Sequence, residues 1–337
     1  MKNNALYYPT ITLAKSTWLT QILLYWDKLY SIIPTDYNFG PHPQQLFTRE
    51  LMDAGLLEAL RPGPRLQRYP HFRGEFIDYI RRRQQITRRR RPAAPADRTT
   101  WIPVHAEKMQ DIGDQLVDLE LAERRQDFWY AVEPKIANEF MTYLAVGLGQ
   151  EVEVDATPVT DHLSCFDILK PYCSELVPPL REEITLTRDA ILAAVLPAPP
   201  ADITLRELGE FKREQGGRLK NFRARVEREC IDVANITNRA DREERQQAAI
   251  AALAAERDVI VQAMSRRWIN LILGPLAMVV SAGLSLVGAT GGIAQAGAGG
   301  RLISTVFQGF RTEGEHRSMI NGPLAYAAFF KRRFGPH

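Results

Sequence analysis

His105-Ala106-Glu107 sets an imidazole and a carboxylate two residues apart. That is the spacing of the His-x-Glu half of a zinc deaminase site, where a downstream Pro-Cys-x-x-Cys completes the metal shell and the glutamate moves protons. The chain offers only Pro171-Tyr172-Cys173, one cysteine short. No metal site is therefore expected, and His105 reads as a packed or hydrogen-bonding residue at a strand end. No His-Glu-x-x-His, Gly-x-Ser-x-Gly or Cys-x-x-Cys occurs. Gly288 to Gly300 is rich in glycine and alanine but lacks the Lys-Ser/Thr ending of a phosphate-binding loop, so no cofactor is called for. An enzyme would need Thr10, Thr35, His105 and Lys108 to converge in space, which spacing along the chain does not dictate.

Two other segments carry chemistry through composition. Arg81 to Arg83 and Arg88 to Arg91 form basic runs that could neutralise phosphates, but no aromatic residue within them offers a base a stacking platform. A solvated loop is the expectation and nucleic acid the lesser alternative. From Trp268 to Gly300 no charged residue occurs, and Leu271 to Ala289 is long enough to span a bilayer. Ala277, Ser281, Ser285 and Ala289 repeat every four residues, a small-residue face where a second helix or a membrane partner can approach closely. Gly274, Pro275 and Gly283 dilute its hydrophobicity, and arginines flank both ends, so a buried helix is expected before a membrane span.

Bulk properties bound the rest. A chain of 337 residues exceeds the roughly 250 to 300 at which single cores stop growing, so two domains are expected. Hydrophobic residues at 45% and charged residues at 25% are ordinary for a globular protein. A net charge of +3 is too small to argue for a polyanionic partner. Cys165, Cys173 and Cys230 are odd in number and read as thiols in a reducing compartment. No basic region followed by an apolar core opens the chain, which points to a cytoplasmic protein, with membrane association as the alternative. Without secretion, Asn235-Ile236-Thr237 has no meaning as a glycosylation site.

The elements that must position these residues follow from periodicity. Ala5–Ile11 reads as a buried strand, and Ser16 or Thr17 caps a helix whose apolar face is Trp18, Leu19, Ile22, Leu23 and Trp26. Leu29–Ile33 is a second strand, Gln44–Leu56 a helix and Leu57–Leu60 a third strand, an alternation that predicts a largely parallel sheet. Ligands in such sheets sit beyond the carboxyl ends of the strands, near Pro9, Thr10, Pro34 and Thr35. An arginine- and proline-rich insertion at about 61–100 reads as an exposed excursion. A strand at Trp101–His105, a helix at Lys108–Arg124, a strand at Phe128–Val132 and a helix at Pro134–Val146 come next, with Thr160 or Asp161 placed to cap a helix at Cys165–Leu169. The α/β domain thus runs over 1–195 and a linker over 196–204. The remainder, 205–337, is helical. Leu205, Leu208, Phe211, Leu219, Phe222, Val226 and Val233 form one stripe, broken at Gly216 and Gly217. Ile250, Leu253, Ile260 and Met264 form a second on a helix from Asp241 to Trp268, so a long antiparallel coiled-coil hairpin is predicted.

Leu6-Tyr7-Tyr8-Pro9, Trp18-Leu19, Leu23-Leu24-Tyr25-Trp26-Asp27 and Ile32-Ile33-Pro34 resemble the opening motif of a widespread bacterial family without an assigned activity. Trp101 to Met109, Phe128 to Tyr143, Pro158 to Asp161, Pro197 to Pro200 and Pro323-Leu324-Ala325-Tyr326 also look like that family, so the resemblance spans most of the chain. It implies kinship and no mechanism, and the arginine-rich insertion departs from it. Among the motif residues, Tyr8 and Asp27 join Thr10, Thr35, His105 and Lys108 as candidate ligand contacts. For Asp27, a structural hydrogen bond is the simpler role.

Three readings follow. The first is a non-enzymatic sensing or interaction protein, in which the α/β part senses a ligand and the helical part assembles with a protein partner or a second copy. The second is a membrane-inserting effector of a bacterial conflict or phage-defence system. The third is an enzyme with its site at the strand ends.

Overall fold

The structure is a computed structural model that describes residues 2–69, 71–88, 98–126, 128–162, 179–196, 198, 203–272 and 321–335. The chain divides into two compact units, Met1–Glu182 and Glu183–His337.

The first unit opens with β1 (Asn4–Tyr7), α1 (Thr17–Tyr25), β2 (Leu29–Ile32), α2 (Pro43–Asp53) and β3 (Leu57–Leu60). Ser16 caps α1 by accepting from the Leu19 N–H at 3.1 Å, as its place before the apolar face predicts. Next come α3 (Pro62–Leu66) and α4 (Phe72–Arg88). Here the structure departs from the expected exposed excursion. Phe76, Ile77 and Ile80 are buried, and Phe76 stacks on Tyr143 with ring centroids 5.4 Å apart. Each such side chain contributes roughly 1.5 to 3 kcal/mol on burial, so the apolar stripe decides the segment's state and the arginines take its outer face. Arg83 turns in to the buried carboxylate of Glu139, and Arg82 donates to the Asp78 carbonyl at 3.3 Å. Arg89 to Arg91 lie outside the described residues.

The unit continues with β4 (Ile102–His105), α5 (Ala106–Met109), α6 (Ile112–Asp118), β5 (Ala122–Arg124), β6 (Trp129–Val132), α7 (Pro134–Gly149) and β7 (Ala156–Val159). The single helix expected over Lys108–Arg124 is instead two short helices and a strand. Gln110 and Glu120 take left-handed φ values of 48° and 61°, which end α5 and α6 in turn.

Two sheets result where one was expected. The first is parallel throughout, in the order β3-β2-β1-β7. The second is antiparallel, in the order β4-β6-β5. Leu6, Ile32 and Leu60 of the first and Val104 and Val132 of the second share one core with Phe140, Leu144 and Leu148 of α7. Gly149 permits the close approach of α7 to β7, since a Cβ there would lie 2.5 Å from the Ala156 carbonyl oxygen.

The second unit is helical: α8 (Pro179–Val195), α9 (Leu205–Glu214), α10 (Gly216–Ala234), α11 (Arg239–Ile272) and α12 (Ala325–Phe334). The α8 helix belongs with it, although the proline-rich 196–204 stretch suggests a boundary beyond that helix. The reason is electrostatic. Arg188 of α8 grips Glu227 of α10 through Nε and Nη2 at 2.5 and 2.9 Å, both side chains buried, and Arg257 of α11 donates to the terminal α8 carbonyls of Ala194 and Val195 at 2.7 and 2.8 Å. The predicted stripe is buried at Leu208, Phe211, Leu219, Phe222, Val226 and Val233, with Phe211 against Tyr326 and Phe330. On α11 the buried seam is Ala249, Leu253, Ile260 and Met264. Cys230 is a buried free thiol, pushed up to about 12 by desolvation and so chemically quiet. Cys165, Cys173 and the small-residue face of Ala277, Ser281, Ser285 and Ala289 lie outside the described residues. Among the described residues no helix is long and apolar enough to cross a membrane.

Arg188→Ala strips Glu227 of its bidentate guanidinium in a dry site and is expected to cost about 3 to 5 kcal/mol. Arg206→Ala, which removes an exposed i,i+4 pair with Glu210, is expected to cost at most about 1 kcal/mol. Urea unfolding of both variants checks the contrast, and equal losses would show that burial is not what gives the Arg188 pair its weight.

Candidate functional site

The loop leaving β1 is pinned at several points, which fixes what it presents. Tyr8 N–H donates to the Val159 carbonyl at 3.2 Å, Ser31 Oγ donates to the Ile11 carbonyl at 3.2 Å, and Leu13 N–H donates to Thr48 Oγ1 at 2.9 Å. Between these ties Thr10 stands at the carboxyl end of the sheet, 3.0 Å from the Tyr7 hydroxyl, which also donates to Asp161 Oδ1 at 3.1 Å. Asp161 and its neighbour His162 follow β7.

The antiparallel sheet supplies the facing wall. His105 ends β4 directly opposite Trp129 of β6, and the two rings meet edge to face at 5.0 Å. Tyr37, beyond β2, extends the cluster to Trp129 at 6.5 Å. His105 Nδ1 accepts from the Glu107 N–H at 3.2 Å, which leaves the proton on Nε2. Burial lowers the imidazole below its usual range against the pull of the Glu107 carboxylate, so the ring is neutral near pH 7. Glu107 is committed elsewhere. Its carboxylate accepts from the Thr35 N–H, from Thr35 Oγ1 at 3.0 Å and from the Gly63 N–H at 3.2 Å.

Between the two walls lies a cavity of about 350 Å³, within the usual size of small-molecule sites. Thr10, Thr12 and His162 line it from the parallel sheet's side, His105, Lys108 and Trp129 from the antiparallel side, and Ala137, Asn138 and Met141 from α7. Ile11, Ile102 and Val104 complete apolar walls. Lys108 is the decisive residue. It is 3% exposed, and it has no hydrogen-bond or ion-pair partner among the described residues. Desolvation pushes its ammonium down to about 7, opposed by the field of Glu107. Burial raises the Tyr37 phenol, which stays a neutral donor.

A larger hollow of about 560 Å³ adjoins Glu107 and Gln110, but its charged groups are satisfied, Arg73 by Asp111 and Glu107 by Thr35 and Gly63. Thr35, Asp36 and Gly63 line another, of about 390 Å³, with Phe128 at its rim. Phe128 is 75% exposed at a φ of 66°, a left-handed conformation that costs a bulky residue about 1 to 2 kcal/mol. Neither hollow holds a buried group in need of a ligand, so the cavity around Lys108 is the candidate site.

Thr10, His105 and Lys108 are thus brought together. Thr35 lies in the adjoining hollow, held by Glu107. Tyr8 is buried in the core. Asp27 lies at the other edge of the parallel sheet, where its N–H donates to the Asn3 carbonyl ahead of β1. Sequence reasoning missed Tyr37, Trp129, Asn138, Met141 and His162. Only Trp129 carried a signal, since a hairpin register pairs it with His105. Among the described residues no group of three His, Cys, Asp or Glu side chains is placed to hold a metal ion. The helix at Cys165–Leu169, which Thr160 or Asp161 was expected to cap, lies outside the described residues. Thr160 Oγ1 instead accepts from the His162 N–H at 3.0 Å.

No protein-family model, curated protein or solved structure matches the chain.

Lys108 makes a signed prediction for pH. Its pKa falls from 10.5 to about 7 on folding, so between those values the unfolded chain binds more protons and stability rises with pH. Below about pH 7 the full penalty is present. Lys108→Met removes it, so the variant is expected to exceed the parent's stability near pH 6 by on the order of 3 kcal/mol, with the gap closing as the medium turns alkaline. Urea unfolding of both proteins across that range measures the gap, and a gap independent of pH would show that the amine is not desolvated.

Proposed function

We propose that the α/β unit is a receptor for a small molecule with a flat apolar body and an oxygen-bearing head group, held at the meeting of the two sheets. The observation that carries this reading is Lys108, a buried amine on the wall of an apolar cavity with no hydrogen-bond or ion-pair partner among the described residues. A buried charge or strong donor is ordinarily satisfied within the fold, and one that is not marks the place where a ligand completes the set. Trp129, Tyr37 and Met141 give the ligand body its apolar surface, and Thr10, Asn138 and the His105 Nε2–H offer orienting hydrogen bonds.

The helical unit is the assembling half of this sensing protein. The α10 and α11 helices are joined by the short 235–238 stretch and tied by Arg245 Nη2 to Glu229 Oε2 at 2.7 Å, which supports taking them as an antiparallel hairpin. Its partner is a protein or a second copy of this chain. The bacterial family resembled by the opening motif is proposed as its kin.

The test uses 2-naphthoate as a probe with calorimetric readout at neutral pH. Wild type is expected to bind it, Lys108→Met to bind at least about 10-fold more weakly through loss of a charge-assisted contact, and Trp129→Ala to weaken binding similarly. Asp27→Ala, at the other sheet edge, is expected to bind like wild type. Binding undiminished in Lys108→Met, with the variant's fold verified by circular dichroism, would overturn the reading, as would an absence of binding to wild type.

A further inference from the structure

Lys108 offers more than a charge. An ammonium that only pairs with an anion is usually helped by other cationic or backbone donors, whereas the lining of this cavity holds no arginine or second lysine: besides the imidazoles of His105 and His162, its polar side chains are Thr10, Thr12, Tyr37 and Asn138. An ion pair there would remain incompletely solvated, while a neutral linkage would leave no charge in the apolar walls. We propose that Lys108 is an imine-forming lysine, whose Nζ adds to the carbonyl carbon of an aldehyde seated against Trp129 in this cavity. The inference rests on the reading of the cavity as a ligand pocket and names the ligand's reacting group.

The chemistry balances without a further reactant. The Nζ lone pair forms a C–N bond as the carbonyl π electrons move to oxygen, and a proton passes from nitrogen to that oxygen to give a carbinolamine. The hydroxyl then leaves as water with a second proton while the nitrogen lone pair closes the C=N bond. One aldehyde and one amine thus become one imine and one water, with no change of oxidation state. His105 lines the same cavity with its proton on Nε2, the side free to serve oxygen, because Nδ1 is occupied by the Glu107 N–H. Apolar walls from Ile102, Val104 and Met141 limit the water that would hydrolyse the product. At neutral pH about half of Lys108 is free amine, against roughly one part in a thousand or less for an exposed lysine, which gives selectivity over the surface lysines.

The experiment incubates the full chain with 2-naphthaldehyde and cyanoborohydride at neutral pH and maps the modified peptides by mass. Wild type is expected to gain one naphthylmethyl group on Lys108, labelled roughly 100-fold faster than exposed lysines. Lys108→Arg, which keeps the charge and removes the primary amine, is expected to lose that adduct while keeping its fold by circular dichroism. Labelling spread over surface lysines with Lys108 untouched overturns the proposal. If 2-naphthoate binds through Lys108 while the aldehyde leaves Lys108 unlabelled, the imine is rejected and the pocket stands. If neither probe engages Lys108, both readings fall.

Discussion

The carboxylate of Glu107 is the tie on which the geometry of the first unit turns. It leaves α5 of the antiparallel layer and accepts from Thr35 beyond β2 and from Gly63 in α3, so one side chain fastens the second sheet to the carboxyl edge of the first. The Gly63 backbone is part of the same fit, since a Cβ there would sit 3.0 Å from Glu107 Oε1. His105 begins the helix that Glu107 enters, and Lys108 follows within the same turn. The tie therefore sets the depth at which the imidazole and the amine stand between the sheets. A shift of one residue in the β4–β6 register would separate His105 from Trp129 and turn Lys108 away from the cavity wall.

Among the charged groups buried in this unit, Glu139 and Lys108 follow opposite rules. Glu139 is almost fully buried on α7 and is pushed up to about 7 by desolvation, with Arg83 pulling the other way. Lys108 is as deeply placed, with no ion-pair partner among the described residues. Glu139 is paired with the Arg83 guanidinium of α4, so its burial serves the docking of α4 on α7. Among the described residues no element is held by the Lys108 Nζ. The difference between the two groups lies in whether a protein atom answers them, and it separates a packing residue from a binding one more sharply than burial alone.

Much of the parallel layer was legible in the chain. The apolar runs at β1, β2 and β3 and the Ser16 cap located their elements, and the carboxyl-edge rule brought Thr10 to the site. The β7 strand was not legible, because Pro158 sits within it. As an edge strand in the order β3-β2-β1-β7 it can lose one donor without breaking a central ladder. The α4 helix was hidden by its arginines, which dominate composition while Phe76, Ile77 and Ile80 decide packing. Asp27 drew notice through its aromatic neighbours, yet a residue between a helix and the next parallel strand must lie at the amino edge, away from the site. The cavity itself was out of reach. Tyr37, Trp129, Asn138 and His162 come from four separate segments, and only the tertiary meeting of two sheets makes them neighbours.

What the sequence could not price was the cost of Lys108. A methionine of similar length would fill the same space with no ammonium to desolvate and would pack well against Trp129. A lysine there lowers stability throughout the range in which it is protonated, on the order of one kcal/mol for each unit its pKa is depressed. Native domains hold only about 5 to 15 kcal/mol in reserve, so a penalty of this kind is a sizeable fraction of the whole. The Phe128 backbone, at the rim of the adjoining hollow, adds a strain of about 1 to 2 kcal/mol. The proposal that this cavity is a site rests on the amine at its apolar wall, which no hydrogen bond or ion pair answers among the described residues. In the proposed receptor, the free energy recovered when the amine is answered adds to that of covering the apolar walls.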